Sequence, residues 1–339
     1  MHLSHLRSSR RRQALQTALS AAAGTALGTI ASPLAAWAQQ DYPNKPIRML
    51  VGFPAGGGVD IAARMVTTEL QKILGQSIVV ENRPGAGGGL AAEMAAKASP
   101  DGYTLLMGNT GSLAINPSIY AKPTYDTLRD FAPVGLVSLL PMVLVAHPSF
   151  EAKNLRELIA LAKQKPGVIN YGTGGQGSIA HLTMELLQAQ TGIKLTHVPY
   201  KGGTPAIADL LGNQVNMVVE GLNVVAPHVK GGKLRALAVA AERRSPVLPD
   251  SLSGPESGHA GFIATAWYGV VAPAGTPSPI IAKLNTAINT LLQYPNVKES
   301  LAQQGADAGG GTPAMFGEHL QRESAMWAQA VKASGAKVE

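Results

Sequence analysis

Four times along this chain, an apolar stretch ends in a turn rich in glycine, serine or threonine and is followed by a helix-like stretch. The turns are Gly56 to Gly58, Gly108 to Ser112, Gly174 to Ser178 and Gly202 to Thr204. Strands that alternate with helices form largely parallel sheets, and such open sheets bind ligands where their strands end. The repeated unit therefore predicts an α/β fold with a small-molecule site built from these turns.

The order of the strand-like stretches indicates that the chain passes between two halves twice. We therefore expect a discontinuous first lobe, residues 39–140 and 260–339, and an inserted second lobe, residues 141–259. The apolar run at the first crossing, VGLVSLLPMVLVAHP, is expected to form two strands joined at Pro141. Two mixed sheets flanked by helices would then enclose a cleft between the lobes, where ligands commonly bind.

The first 38 residues have the pattern of an export signal. A basic start, Arg7 and Arg10 to Arg12, precedes an apolar stretch of small residues, and Ala36 and Ala38 fit an A-x-A cleavage site. The paired arginines favour the twin-arginine route over the general secretory route. The pattern predicts cleavage near Ala38 and a soluble exported product.

Charge and cysteine content exclude several classes of protein. Outside the predicted signal the chain has 24 basic and 21 acidic residues, a net charge of +3, and no dense basic cluster. A protein that binds nucleic acid electrostatically needs such a cluster, so no nucleic-acid partner is expected. Because the chain has no cysteine, thiolate nucleophiles, cysteine-ligated metals and disulfides are excluded.

The spacing of Gly172, Gly174 and Gly177 matches the G-x-G-x-x-G turn of dinucleotide-binding proteins. That reading also requires an acidic residue at the end of the next strand, and the sequence there is LTHVPYKGG, with no carboxylate. The same glycines suit an anion site at the start of a helix over residues 178–190, with Ser178 as its N-cap. Ser178 acting only as a cap remains the simpler alternative.

Other polar combinations are incomplete as reactive sites. Ser178 and His181 lie one helical turn apart, but no third group that would orient the histidine is evident. His181 and Glu185 lack the H-E-x-x-H pattern of a zinc site, so no metal and no cofactor are expected. Asp60 and Arg64 have the spacing of a helical salt bridge.

Beyond these local patterns, the chain resembles the substrate-binding receptors of tripartite tricarboxylate transporters, the Bug receptors of the periplasm. The resemblance extends over nearly all of the chain after the predicted signal. It is carried by ordered motifs, among them YPNKPIRMLVGFPAGGGVDIAAR, VVENRPGAGGGLAAEMAAKASPDGYTLLMGN, YGTGGQGSIAHLTMELL, HVPYKGGTPAIADLLGNQV, PHVKGGKLRALAV and WYGVVAPAGTP.

The resemblance implies a two-lobed periplasmic-binding fold of the Venus-flytrap type that closes on an organic anion. It also implies that the strand-to-helix loops bind the ligand carboxylate. Carried over by position, the ligand-binding residues would be Phe53, Ala55, Gly56, Gly57, Asp60, Asn109, Thr110, Ser112, Gly174, Gly175, Gln176, Ser178, His181, Tyr200, Thr204 and Ala206.

Glu220 is a departure from the family pattern, which often has a shorter or apolar residue there. It is expected either to select a ligand with an ammonium or hydroxyl group or to point into solvent. Trp267 and Tyr268, at the return crossing, would line the cleft or pack beside its hinge.

The resemblance implies a non-enzymatic, monomeric periplasmic receptor. Its partners would be a small carboxylate (an organic acid, dicarboxylate, amino acid or aromatic acid) and the integral membrane permease that receives it. Two alternatives remain at this point, a periplasmic Ser-His hydrolase and a sensor receptor that acts on a signalling partner.

Overall fold

A computed structural model describes residues 42–338 of the chain. The predicted export signal, residues 1–38, lies outside the described residues. The described part alternates strands and helices, as the sequence predicted. From residue 43 to the first long strand, the elements are β1 (Ile47–Val51), α1 (Gly58–Leu74), β2 (Ile78–Asn82), α2 (Gly89–Ala96), β3 (Thr104–Asn109), α3 (Asn116–Ile119), α4 (Thr127–Asp130) and β4 (Phe131–Ala146).

After β4, the chain continues to alternate strands and helices and then returns to pair with the strands before β4. The elements that follow β4 are α5 (Leu155–Gln164), β5 (Asn170–Thr173), α6 (Ile179–Thr191), β6 (Thr196–Pro199), α7 (Gly203–Leu211), β7 (Met217–Gly221), α8 (Leu222–Lys230) and β8 (Arg235–Ala240). The remaining elements are β9 (Thr265–Pro273), α9 (Ser278–Leu291), α10 (Pro295–Gln303), β10 (Asp307–Gly310) and α11 (Pro313–Ser334).

The strands form a mixed sheet with the order β2-β1-β3-β9-β4-β7-β5-β6, and β8 and β10 also pair with β4. Pairing is parallel where a helix connects the strands, as in β1 with β2 and β3 and in β5 with β6 and β7. β4 and β9 are antiparallel to their neighbours. The parallel strands β1, β3, β5 and β6 end in turns that lead toward helices. In open α/β sheets, ligands bind at turns of this kind, beyond the carboxyl ends of the strands.

The long strand β4 connects two parts of the sheet, the first with β1, β2, β3, β9 and β10 and the second with β5, β6, β7 and β8. Residues 131–141 pair with β9, whereas Met142 begins the pairing with β7 and β8. The prediction of two strands joined at Pro141 was wrong, because the strand is continuous over 16 residues. Proline lacks an N–H donor, and Pro141 lies where the ladder changes partners, so the strand continues past it.

Helix boundaries follow local signals that the sequence contains. Ser178 is the N-cap of α6, and its Oγ accepts a hydrogen bond from the backbone N–H of His181. Gly192 ends that helix in the left-handed conformation, with φ of 69°. In α1 the buried face includes Val59, Ala62, Ala63, Val66 and Leu70, and burying each larger apolar side chain contributes about 1.5 to 3 kcal/mol.

No helix among residues 42–338 is long and apolar enough to cross a membrane. Within the same residues, no group of three or more acidic or histidine side chains is placed to hold a metal ion.

Candidate functional site

Several strand-to-helix turns border one cavity of about 40 Å³. The first turns of α1, α6 and α7 contribute to its wall together with residues of β4, β7 and β9. The lining residues are Phe53, Gly57, Gly58, Val59, Asn109, Met142, Gly174, Ser178, Ile179, Ala180, Gly203, Glu220, Ala266 and Tyr268. The enclosed part of this cavity has room for only a few water molecules.

The start of α1 lines this cavity. Gly57 precedes the helix and has no side chain that caps it, while Gly58 and Val59 line the cavity. The first N–H groups of a helix have no acceptor within the helix and carry partial positive charge. Gly58 also allows close approach, because a methyl group added there would overlap the hydroxyl of Tyr268.

Asp60 holds the loop before α1 in place. Its carboxylate accepts hydrogen bonds from Gly56 N, Arg64 Nε and Asn82 Nδ2, each at 2.9 Å. Burial alone would raise the pKa of Asp60, but these hydrogen bonds and the Arg64 charge lower the pKa overall. The predicted Asp60–Arg64 salt bridge is present. Asp60 is 2% exposed and all its described partners belong to this network, so its part in the site is to shape the loop.

The start of α6 forms a second part of the wall. Gly175 and Gly177 adopt φ of 120° and 76°, a region that favours glycine, and lead into the cap residue Ser178. Ser178, Ile179 and Ala180 line the cavity. Because Ser178 and the first residues of the helix face the cavity, an anion there would meet N–H groups and a hydroxyl rather than a basic side chain.

The start of α7 contacts the loop before α1. Thr204 Oγ1 donates a hydrogen bond to the carbonyl of Ala55 at 3.3 Å. Gly202, with φ of 135°, lies so close to Pro54 that an added methyl group would overlap the proline ring. These contacts join a loop of the first part of the sheet to a loop of the second.

The turn after β3 is fixed by its own hydrogen bonds. Asn109 and Ser112 cap each other, and Thr110 Oγ1 accepts a hydrogen bond from the backbone N–H of Trp267 at 3.0 Å. Thr110 and Ser112 are buried, and Ser112 O accepts a short hydrogen bond from Tyr125. Asn109 is the residue of this turn that lines the cavity.

Glu220 is the acidic residue of the cavity wall. Its Oε1 accepts a hydrogen bond from the N–H of Gly221 at 2.8 Å, and its Oε2 lies against Gly203, where an added methyl group would overlap it. Burial raises the pKa of Glu220 to about 6, although the Gly221 hydrogen bond acts to lower it. Burial, and secondarily the charge of Glu220, raise the pKa of the neighbouring Tyr268.

His181 of α6 stacks on His197 of β6, and burial favours the neutral form of both rings. The rings of His181 and His197 are 4.3 Å apart, and Tyr171 stacks on the other side of His197 at 5.0 Å. Burial lowers the pKa of His181, and burial together with His181 lowers the pKa of His197 to about 3. His181 does not line the cavity that Ser178 lines, and its Nδ1 has no hydrogen-bond partner among residues 42–338.

The remaining predicted ligand-binding residues lie apart from the cavity. Gly175, Gln176 and Tyr200 border a neighbouring cavity of about 260 Å³ together with Phe53. The Tyr200 hydroxyl donates to Asp209 Oδ2 at 2.7 Å. Ala206 is fully buried in the hydrophobic core of the second part of the sheet.

The structure thus brings part of the predicted set together in one cavity: Phe53, Gly57, Asn109, Gly174, Ser178 and Glu220. Sequence reasoning did not single out Met142 or Ala180, which also line it. These are apolar residues within regular elements, and no spacing distinguishes them from core positions. Tyr268, which the sequence places either in the cleft or beside its hinge, lines the wall of this cavity.

Comparison with known proteins gives consistent matches over this fold. The family model described as the tripartite tricarboxylate transporter family receptor matches residues 62–335. Protein BugT of Bordetella pertussis is 40% identical over 311 residues, which are 91% of this chain and 94% of BugT.

Two solved structures are similar over most of the chain. The periplasmic binding protein BugD has a TM-score of 0.84 and 34% identity, covering 88% of this chain and 100% of BugD. Rpa4515 of R. palustris, solved with adipate, has a TM-score of 0.85 and 34% identity, with the same coverage of 88% and 100%. These matches confirm the predicted periplasmic-binding-protein fold.

Proposed function

The chain belongs to the receptor family of the tripartite tricarboxylate transporters, as its motifs predicted, and on that premise we propose that it captures a small carboxylate for delivery to the membrane permease of such a transporter. One observation carries the proposal. The starts of α1, α6 and α7 border the same cavity, and none of the described residues lining it is a lysine, arginine or histidine. Converging helix N-termini bind anions through backbone N–H groups, without a basic side chain.

The ligand carboxylate would bind to the first turns of α1 and α6, where Gly58 and Ile179 leave N–H groups beside the cavity. Ser178 adds a hydroxyl. The relative Rpa4515 was solved with adipate, which carries carboxylate groups, and this supports a carboxylate ligand here. The residues of the neighbouring cavity, Gly175, Gln176 and Tyr200, would shape the loop and the entrance.

The mechanism we propose is a shift between open and closed arrangements of two lobes. One lobe would comprise residues 39–140 and 260–339, and the other residues 141–259. The contacts of Thr204 with Ala55 and of Gly202 with Pro54 join the two segments and would belong to the closed arrangement. A ligand that touches both lobes favours closure, because only the closed arrangement makes both sets of contacts.

Binding without a chemical step fits the arrangement around Ser178. Its Oγ accepts a hydrogen bond from the backbone N–H of His181, while the His181 ring stacks on His197. A serine nucleophile needs a hydrogen bond to the imidazole ring and a third group that orients the ring. We therefore propose a receptor that is exported to the periplasm, loses its signal by cleavage near Ala38, acts as a monomer and needs no cofactor.

Thermal unfolding tests this function. Protein comprising residues 39–339, denatured and refolded to remove bound ligand, would be heated with adipate, succinate, malate, citrate, benzoate and amino acids. A ligand at about 100 times its dissociation constant adds about 2.7 kcal/mol to the free energy of unfolding. The primary amide of each stabilising acid is the matched control and should have little effect. If no carboxylate stabilises the protein, or if the amides stabilise it equally, the proposal is wrong.

A further inference from the structure

Glu220 gives the cavity a negative group beside helix ends that favour anions. It lies at the end of β7, and the cavity it lines is also lined by the first turns of α1 and α6. Gly174 connects these surfaces, because a methyl group added there would lie 3.4 Å from the backbone nitrogen of Gly203, the residue that touches Glu220. The first turn of α6 and the side chain of Glu220 thus line one cavity, and one ligand there can contact both.

The hydrogen bonds of Glu220 are incomplete. Oε1 accepts the N–H of Gly221, but none of residues 42–338 donates a hydrogen bond to Oε2. No lysine or arginine among these residues pairs with the side chain. The N-terminus of α7, at Gly203, lies beside the side chain, and the dipole of this helix favours the negative charge of Glu220. Glu220 is partly buried, and its free carboxylate oxygen would be stabilised by any ligand group that donates a hydrogen bond or carries positive charge.

The charge of Glu220 also discriminates between ligands. A ligand with a second carboxylate would place that group beside Glu220, and two neighbouring like charges repel unless one takes up a proton. A ligand with a protonated amine in the same position would form an ion pair and complete the hydrogen bonds of Oε2. The phenol of Tyr268, the other titratable group among the described lining residues, is neutral and compatible with either.

We propose that the ligand is an aminocarboxylate whose carboxylate binds the first turns of α1 and α6 and whose protonated amine pairs with Glu220. This inference rests on the proposed receptor function and specifies the class of carboxylate. It places Glu220 as a specificity determinant, a group that favours zwitterions over dicarboxylates of the same length.

The test is calorimetric titration with matched ligands at about pH 7.5. The amines run from β-alanine through 4-aminobutanoate to 6-aminohexanoate, with L-alanine and L-glutamate, and the dicarboxylates run from malonate through succinate to adipate. 4-Hydroxybutanoate separates charge from hydrogen bonding. We expect at least one amine to bind about tenfold or more tightly than both its dicarboxylate and its hydroxyl counterpart.

The variant Glu220→Gln retains the shape and removes the charge. We expect it to weaken binding of the best amine by about tenfold or more and to strengthen binding of the matched dicarboxylate. Glu242→Gln, an exposed acid outside the cavity, is the control and should change neither. In the unsubstituted protein, dicarboxylate affinity should rise as the pH falls from about 7.5 to about 5.5, because Glu220 takes up a proton, and Glu220→Gln should lack this rise.

Two results would overturn the inference while leaving the receptor function intact. One is tighter binding of dicarboxylates than of every amine, with the ratio unchanged in Glu220→Gln. The other is equal binding of 4-hydroxybutanoate and 4-aminobutanoate as the best ligands, which would make the interaction one of hydrogen bonding without charge. If no carboxylate of any class binds, the proposed receptor function itself fails.

Discussion

Replacing Glu220 with glutamine should stabilise the ligand-free protein in a pH-dependent way. Burial raises the pKa of Glu220 from 4.5 to about 6, so the folded protein holds this proton more tightly than the unfolded chain does. The protonated form therefore contributes stability below about pH 4.5, and this contribution is lost as the pH rises through about 6. A difference of about 1.5 pKa units corresponds to about 2 kcal/mol.

The assay is urea denaturation of the refolded, ligand-free protein at about pH 4.5 and about pH 7.5. Relative to the unsubstituted protein, Glu220→Gln should gain about 2 kcal/mol more in the free energy of unfolding at the higher pH than at the lower. Glu242→Gln should show no such difference between the two pH values. A gain that is the same at both pH values would refute the claim that Glu220 is held in an environment that disfavours its charge.

Two further substitutions test other parts of the account. Gly202→Ala should lower carboxylate affinity by about tenfold or more, because the added methyl group overlaps Pro54 at a positive φ, whereas Gly212→Ala, at φ of −80° on the other end of the same helix, should not. A second test concerns His197, whose pKa in the folded protein, about 3, lies below the ordinary 6.5. The stability that the neutral ring contributes above pH 6.5 is therefore lost as the pH falls. The expected loss in the free energy of unfolding is about 2 kcal/mol between about pH 7 and about pH 5. His197→Gln should reduce that loss in urea denaturation.

Each of these has an outcome that would count against it. Equal affinities for Gly202→Ala and Gly212→Ala, measured by titration calorimetry, would mean that the contact with Pro54 does not contribute to binding. An unchanged acid-induced loss of stability in His197→Gln would show that other groups cause it.

The local structure was predictable where neighbouring residues determine it. Ser178 as a cap and the Asp60–Arg64 salt bridge depend on spacing within one helical turn, and both are present. The family and the fold were predictable from ordered motifs. The prediction of a break between two strands at Pro141 was wrong, because the pairing of β4 with β7, β8 and β9 outweighs the local preference of proline to interrupt a strand.

The site could be predicted only in outline, because its geometry depends on contacts between distant parts of the chain. Tyr268 lies against Gly58, and Glu220 lies against Gly203, and no pattern in the sequence relates these pairs. Spacing also could not show that His181 of α6 stacks on His197 of β6. The full set of ligand-binding residues stays a prediction, and the cavity indicates which of them to test first.

A crystal structure of residues 39–339 with the tightest-binding carboxylate from the thermal screen tests the central claim most directly. The account predicts that the carboxylate oxygens lie within hydrogen-bonding distance of N–H groups in the first turns of α1 and α6, directly or through one water molecule, with the remainder of the ligand directed toward Glu220. A ligand bound instead in the neighbouring cavity beside Gln176 and Tyr200, or at the protein surface, would contradict it.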